Sequence, residues 1–203
     1  DLVDAGAVTW ADGNGGTTGP VGELDSTVGA QAGNRLSAEQ LLGAPGNYYL
    51  VASQTFSNGA AINAGAIGIR SGNAPSPGVI SAANMLVGSR SFDLVGTGRA
   101  ALLGSSRLLI VESQWNSASV ARAGALLLVD AAAGVSGTME SNGALVGSET
   151  DALANAEATR LPNEDVALYL PRWRAGPLQV APLMRLFAGT TLLPLPLTAN
   201  ALF

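Results

Sequence analysis

The sequence repeats itself at a constant offset. Asp4-Ala5-Gly6-Ala7-Val8 returns as Asn63-Ala64-Gly65-Ala66-Ile67 and again as Arg122-Ala123-Gly124-Ala125-Leu126, so that Gly6, Gly65 and Gly124 are spaced 59 and 59. Val28, Val87 and Val146, each followed by glycine, keep the same spacing. A fixed period constrains the fold before any local propensity does, because each copy must find its packing partner in the next copy.

Within one period four short apolar stretches alternate with turn residues. In the middle copy the first runs from Phe92 to Leu103, and the second, Arg107-Leu108-Leu109-Ile110-Val111-Glu112, follows the turn Gly104-Ser105-Ser106. Gly and Ser supply the backbone freedom a hairpin needs. The relatives of this second stretch are Tyr48 to Ser53 and Val166 to Leu170, and after each comes one aromatic, Phe56, Trp115 or Trp173, spaced 59 and 58. One aromatic per copy at a fixed register reads as a packing anchor between adjacent sheets.

The third stretch is the Ala-Gly-Ala segment. Val8 and Trp10, Ile67 and Ile69, and Leu126 and Leu128 lie two apart and share a face. The small residues around Gly6, Gly65 and Gly124 let this strand approach another backbone closely. The fourth stretch ends in Val28-Gly29, Val87-Gly88 and Val146-Gly147, where glycine is expected to bend the chain out of the sheet. A fourth copy of the third stretch is legible as Val180-Ala181-Pro182-Leu183-Met184-Arg185-Leu186, with Pro182 where glycine stood.

Composition narrows the class. Apolar residues make up 47% and charged residues 12%, with 26 Gly and 10 Pro, which is too apolar for a disordered chain and too rich in turns for a helical bundle. There is no Cys or His, and all ten cations are Arg. Disulfides, thiolate or imidazole metal sites, Ser-His and Cys-His nucleophiles and Schiff-base lysines are thereby excluded. A net charge of −5 without a basic cluster argues against nucleic acid as a partner. The most apolar run, Ala121 to Val135, is broken by Arg122 and Asp130, so no membrane span is expected.

The expected fold is all-β, a β-propeller-like array of four-stranded blades with about three and a half repeats, and a β-solenoid is the alternative. A blade of a propeller takes roughly 40–50 residues. The whole chain, 1–203, is read as a single repeat array with copies near 1–57, 58–117 and 118–175 and a half repeat at 176–203. No cofactor is expected. Incomplete units at both ends point to self-association or to neighbouring repeats of a longer chain as partners.

The segments Asn58 to Ile67 and Gly78 to Ser89 resemble the repeats of large secreted bacterial proteins, filamentous-haemagglutinin-like adhesins among them, and the Asp4 to Val8 form is distantly similar to integrin-type propeller repeats. The resemblance covers nearly the whole chain, strongly over 1–90 and weakly after about 150. It implies a secreted or cell-surface repeat module, propeller-like and without catalytic residues. The aspartate-rich calcium loop of integrin-type blades is not reproduced.

Candidate chemistry is sparse. Asp12-Gly13-Asn14-Gly15-Gly16 is a loop that could hold a cation, but its counterparts Ser71-Gly72-Asn73-Ala74 and Asp130-Ala131-Ala132-Ala133 lack a common oxygen set, and a hairpin turn is the simpler reading. Glu149 with Asp151, and Glu164 with Asp165, are acid pairs of the type that cleaves glycosides, although adjacent loop carboxylates are ordinarily solvated. Arg172 and Arg174, flanking Trp173, are candidate contacts for a sugar or an anion. The expected function is a non-enzymatic structural or adhesive module that self-assembles into an oligomer or filament. A glycan-binding propeller ranks second and a glycoside hydrolase third.

Overall fold

The computed structural model describes residues 2–38, 41–44, 46–173 and 183–186. Arg174 and most of the half repeat 176–203 lie outside them. The strands are β1 (Ala7–Thr9), β2 (Ser26–Val28), β3 (Leu41–Ala44), β4 (Tyr48–Ser53), β5 (Ala66–Ser71), β6 (Gly78–Val79), β7 (Leu86–Val87) and β8 (Arg99–Leu103). They continue as β9 (Arg107–Glu112), β10 (Ala125–Asp130), β11 (Gly137–Thr138), β12 (Leu145–Val146), β13 (Glu157–Arg160), β14 (Val166–Tyr169) and β15 (Leu183–Leu186). The one helical element among the described residues is a 3-10 turn at Glu140–Asn142. The chain is all-β.

Among the described residues four small sheets form, and none closes on itself. Their orders are β1-β2-β6, β3-β4-β5-β7-β11, β8-β9-β10-β12 and β13-β14-β15. The first is built on the antiparallel pair β1-β2 and the other three on antiparallel meanders, whose hairpins turn where the sequence supplies left-handed residues: Gly46 and Asn47, Gly104, and Glu164 all have positive φ.

The period is reproduced as register. Ala7 pairs with Val28, Ala66 with Val87 and Ala125 with Val146. Ser53 opposite Ala66 becomes Glu112 opposite Ala125 one period later. The sheets are also laced together. The two-residue strand β6, from the second copy, pairs in parallel with β2 of the first, and β11 repeats this on β7. The second and third copies thus each lend a short strand to the sheet before them.

The sheets pack face to face in chain order. Along β9, Leu108 and Ile110 join the core against the second sheet, while Leu109 and Val111 join the core against the fourth. On β5, Ile67 and Ile69 face forward to the third sheet and Ala66 faces back to the first. Period-2 alternation sends successive side chains to opposite faces. Because both faces of the two middle sheets are covered, Leu108 to Val111 reads as an unbroken apolar run.

One expectation is corrected. The stretch Phe92 to Leu103 is strand only over Arg99–Leu103. Its first half is a loop in which Phe92 and Leu94 take φ of 64° and 52°, a conformation that no ladder accepts. At Gly29, Gly88 and Gly147 the chain leaves its strand. A Cβ at these positions would strike the carbonyl oxygen of Ala5, Ala64 or Ala123, so they need glycine for close approach.

Phe56, Trp115 and Trp173 are 5%, 1% and 3% exposed and fall one to each inter-sheet core, always against the preceding sheet. The Trp115 Nε1–H has no hydrogen-bond partner among the described residues. Its contribution is therefore one of packing, and Trp115→Ala is expected to cost about 3–5 kcal/mol of unfolding free energy. Trp115→Phe, which installs the residue type of Phe56 and removes the unpaired N–H, should cost much less. Chemical denaturation of the two variants measures both, and equal losses would mean that the ring volume is not what counts.

Candidate functional site

The most elaborated polar structure lies where one sheet meets the next. After the fourth strand the chain makes a loop over residues 29–37, repeated at 88–96, that docks on the Ala-Gly-Ala segment of its own sheet and on the turn after the second strand of the following one. Gly6, Gly65 and Gly124 have φ of 74°, 76° and 74°, and the backbone N–H of Gly29, Gly88 and Gly147 donates to their carbonyls at 3.0, 3.1 and 3.1 Å. Leu36 and Val95 donate to the carbonyls of Ala5 and Ala64, both at 3.0 Å. Asn63 and Arg122 are also left-handed, like Asp4 before them.

A buried Asx residue holds each loop. Asn34 Oδ1 accepts from the N–H of Ala30 and Gln31 at 2.9 and 2.8 Å. One period on, Asp93 Oδ2 accepts from Ser89 and Arg90, both at 2.9 Å, while Oδ1 accepts from the backbone and side-chain amides of Asn116 at 3.0 and 2.8 Å. Asp93 is fully buried, and through these four bonds it ties the loop after β7 to the turn after β9 of the following sheet. The third copy carries Ala152 at this position and has no such clasp.

Gln31 and Arg90 occupy equivalent places and reach equivalent carbonyls. Gln31 Nε2 donates to Ser57 at 3.1 Å, and Arg90 Nη1 donates to Asn116 at 3.1 Å and to Glu140 Oε1 at 2.8 Å. Burial pushes the Glu140 carboxyl up, but bonds from its own backbone, Arg90, Ser89 and Thr138 outweigh it and leave the group below its ordinary value. At the third junction the same two positions are Glu149 and Arg174, which follows Trp173 as Asn116 follows Trp115. Arg174 itself lies outside the described residues.

The ends of the second strands complete the junction. Ser53 Oγ donates to the Asn34 carbonyl at 2.5 Å. Its counterpart Glu112 is fully buried, and its two oxygens accept from the N–H of Gly96 and Gly98 at 2.8 and 3.0 Å. Burial pushes the Glu112 carboxyl up to about 8, against the two amide bonds, which favour the anion. Arg70, 9% exposed, donates to the carbonyls of Ile69 and Asn84, both at 3.1 Å, and burial lowers its pKa.

The remaining candidates are placed as follows. Asp12, Ser71 and Asp130 are separated by one period each, and each accepts the backbone N–H two positions on, from Asn14, Asn73 and Ala132 at 2.9, 3.1 and 2.8 Å. The Asp12 loop is one of three copies of a side-chain-capped turn. Asp151 is paired with Arg122 at 2.9 Å, Glu164 with Arg160 at 3.1 Å, and Asp165 accepts from Asn163 at 2.8 Å. Arg172 is exposed beside the buried Trp173 ring. No helix among the described residues is long and apolar enough to cross a membrane.

A family model for a repeat of unknown function (DUF5650) matches residues 1–38, 44–97 and 103–155, one match per copy. No curated protein and no solved structure matches the chain.

The Glu112 carboxyl gives the junction a pH signature. Its folded pKa of about 8 lies above the ordinary value of 4.5, so the folded state holds the proton more tightly. The stability this contributes is fully present below about pH 4.5 and is lost as pH rises through about 8. Denaturation midpoints should therefore fall across that window, and Glu112→Gln, whatever its absolute stability, should lack the slope. A midpoint that is flat or rises with pH in the unsubstituted protein would contradict the assignment.

Proposed function

The chain belongs to the DUF5650 family of repeats, and on that premise we propose that it is a non-enzymatic structural module of a secreted or surface-displayed bacterial protein, built to stack and to present an adhesive surface. The observation that carries this reading is the serial junction: the same registers, the same borrowed strand and the same left-handed glycine recur from copy to copy. Side-chain chemistry is spent on joining sheets. Asp93, Arg90, Glu112 and Asn34 all bond across to a neighbouring sheet, and the acids Asp151 and Glu164 are held by arginines.

The array is read as propeller-like, since the second, third and fourth sheets are meanders of blade type, each with a face on the sheet before it. The secreted setting and the adhesive use rest on the resemblance of the repeats to those of filamentous-haemagglutinin-like adhesins. A row of exposed apolar residues suits adhesion: Val3, Ile62 and Phe92 are 72%, 57% and 59% exposed on one rim of the stack, where the Phe92 N–H donates to Ile62 at 2.9 Å.

Two measurements test the two halves of the proposal. Deleting residues 60–118, one full period, joins equivalent positions, so the shortened chain should still fold cooperatively as β-sheet with reduced stability, as repeat arrays do. A deletion variant that does not fold would remove the stacking module. An antibody against residues 1–173 should label intact cells or the culture medium of the organism that carries the gene, and labelling only after permeabilisation would remove the surface assignment.

A further inference from the structure

We infer that Asn14 is a site of spontaneous deamidation selected by the fold, at which the backbone nitrogen of Gly15 closes on the Asn14 side chain and the amide becomes a carboxylate. Asparagine precedes glycine three times in this chain, at Asn14-Gly15, Asn58-Gly59 and Asn142-Gly143. Glycine is the following residue that hinders this ring closure least, because it carries no Cβ beside the attacking nitrogen. By residue type the three pairs are equal, so any difference between them comes from their surroundings.

Two of the pairs are held. Asn58 and Ala61 exchange backbone bonds at 3.0 and 3.1 Å in a tight hairpin, and Asn58 Nδ2 donates to the Gly88 carbonyl at 3.0 Å. Asn142 ends the 3-10 turn, and its Nδ2 donates to the carbonyls of Ser136 and Thr138, both at 2.8 Å. Bringing either side-chain carbon onto the next nitrogen breaks these bonds first.

The Asn14 side-chain amide, by contrast, has no hydrogen bond among the described residues; Asp12 Oδ1 holds its backbone N–H. The Gly15 N–H shares the Asp12 carbonyl with that of Gly16, at 3.3 Å against 2.7 Å, and is the looser of the two. Nothing lies within 4 Å of a Cβ built at Gly13, Gly15 or Gly16, so the loop has room to reshape around a ring. Its exposure belongs to the repeat and not to its place in the first copy, since Asn73 and Ala132, one and two periods on, are exposed inside the array. Asn73 is followed by Ala74, and its Oδ1 accepts from Asn47 at 2.6 Å. Of the three copies of this turn, the first alone joins an unbonded amide to a glycine.

The reaction needs no reactant beyond water. As the Gly15 nitrogen bonds to Asn14 Cγ, the Cγ–Nδ2 bond breaks and the proton of the attacking N–H leaves with it as ammonia, closing a five-membered imide. Water then opens the imide at either carbonyl, giving aspartate at 14 or the isomer whose backbone runs through Cγ. Both products place a negative charge beside Asp12 on a loop, 11–20, that carries no base. The loop contributes to none of the inter-sheet cores among the described residues, so the modification changes what this exposed turn can contact and leaves the stack in place.

Peptide mapping of the full chain aged at mildly alkaline pH tests this, because cleavage after arginine puts the three pairs on separate peptides, 1–35, 36–70 and 123–160. Each is read by the mass change of NH2 to OH and by labelling with an isoaspartate methyltransferase. Asn14 should convert at least about tenfold faster than Asn58 or Asn142. In the chain unfolded in guanidinium the three rates should converge to within about threefold. Gly15→Ala, which the open surroundings of Gly15 tolerate, should slow Asn14 by about tenfold and leave the other two unchanged. Comparable rates in the folded chain, a difference that survives unfolding, or a Gly15→Ala variant that reacts as fast as the parent would each overturn the inference.

Discussion

Every junction in this molecule depends on a backbone contact that a side chain would forbid. At Gly65 the chain is left-handed, its carbonyl accepts the Gly88 N–H, and a Cβ there would overlap the backbone of Leu94 and Val95. Gly6 meets the backbone of Arg35 and Leu36 in the same way, and Gly124 meets the Leu153 side chain. With the loop after the fourth strand pressed onto this point, its buried Asx residue and its long polar side chain are aimed at the following sheet. The aromatic after the second strand then fills the space between the two sheets. Strand pairing links one meander to the next only through the two-residue strands β6 and β11, and the glycine contact holds the loop that packs between them.

That arrangement explains where the copies are free to differ. The clasp residue is Asn34 in one loop, Asp93 in the next and Ala152 in the third, because the glycine contact persists without it. Ser53 and Glu112 differ in length and charge yet both tie the end of a second strand to the preceding loop. The buried carboxyl of Glu112 carries the larger electrostatic cost, since taking a carboxylate out of water disfavours the charged form.

The period, the aromatic register and the small-residue strand were legible in the sequence because each repeats a residue type at constant spacing. The registers of β5 on β7 and of β10 on β12 are related by that same offset, although which residues pair is seen only in the fold. What could not be read were features without a residue signature. The borrowed strands β6 and β11 are Gly78-Val79 and Gly137-Thr138, too short to show a period. The loop at Phe92 to Gly98 contains enough apolar side chains to imitate a strand, and its left-handed Phe92 and Leu94 betray nothing in their residue types. Asn34 and Asp93 did carry a signal, two short polar side chains one period apart in an apolar setting, which periodicity by itself does not distinguish from a solvated turn.

The glycine contact can be tested by one comparison of equilibrium unfolding, Gly65→Ala against Gly13→Ala. Both replacements add a single methyl group, but Gly13 has nothing within 4 Å of the new atom and no left-handed φ. Gly65→Ala should lose about 2–5 kcal/mol, from backbone strain and overlap together, whereas Gly13→Ala should change stability by no more than about 0.5 kcal/mol. Equal, small effects at the two positions would show that the junctions are held by something other than the close approach at Gly65.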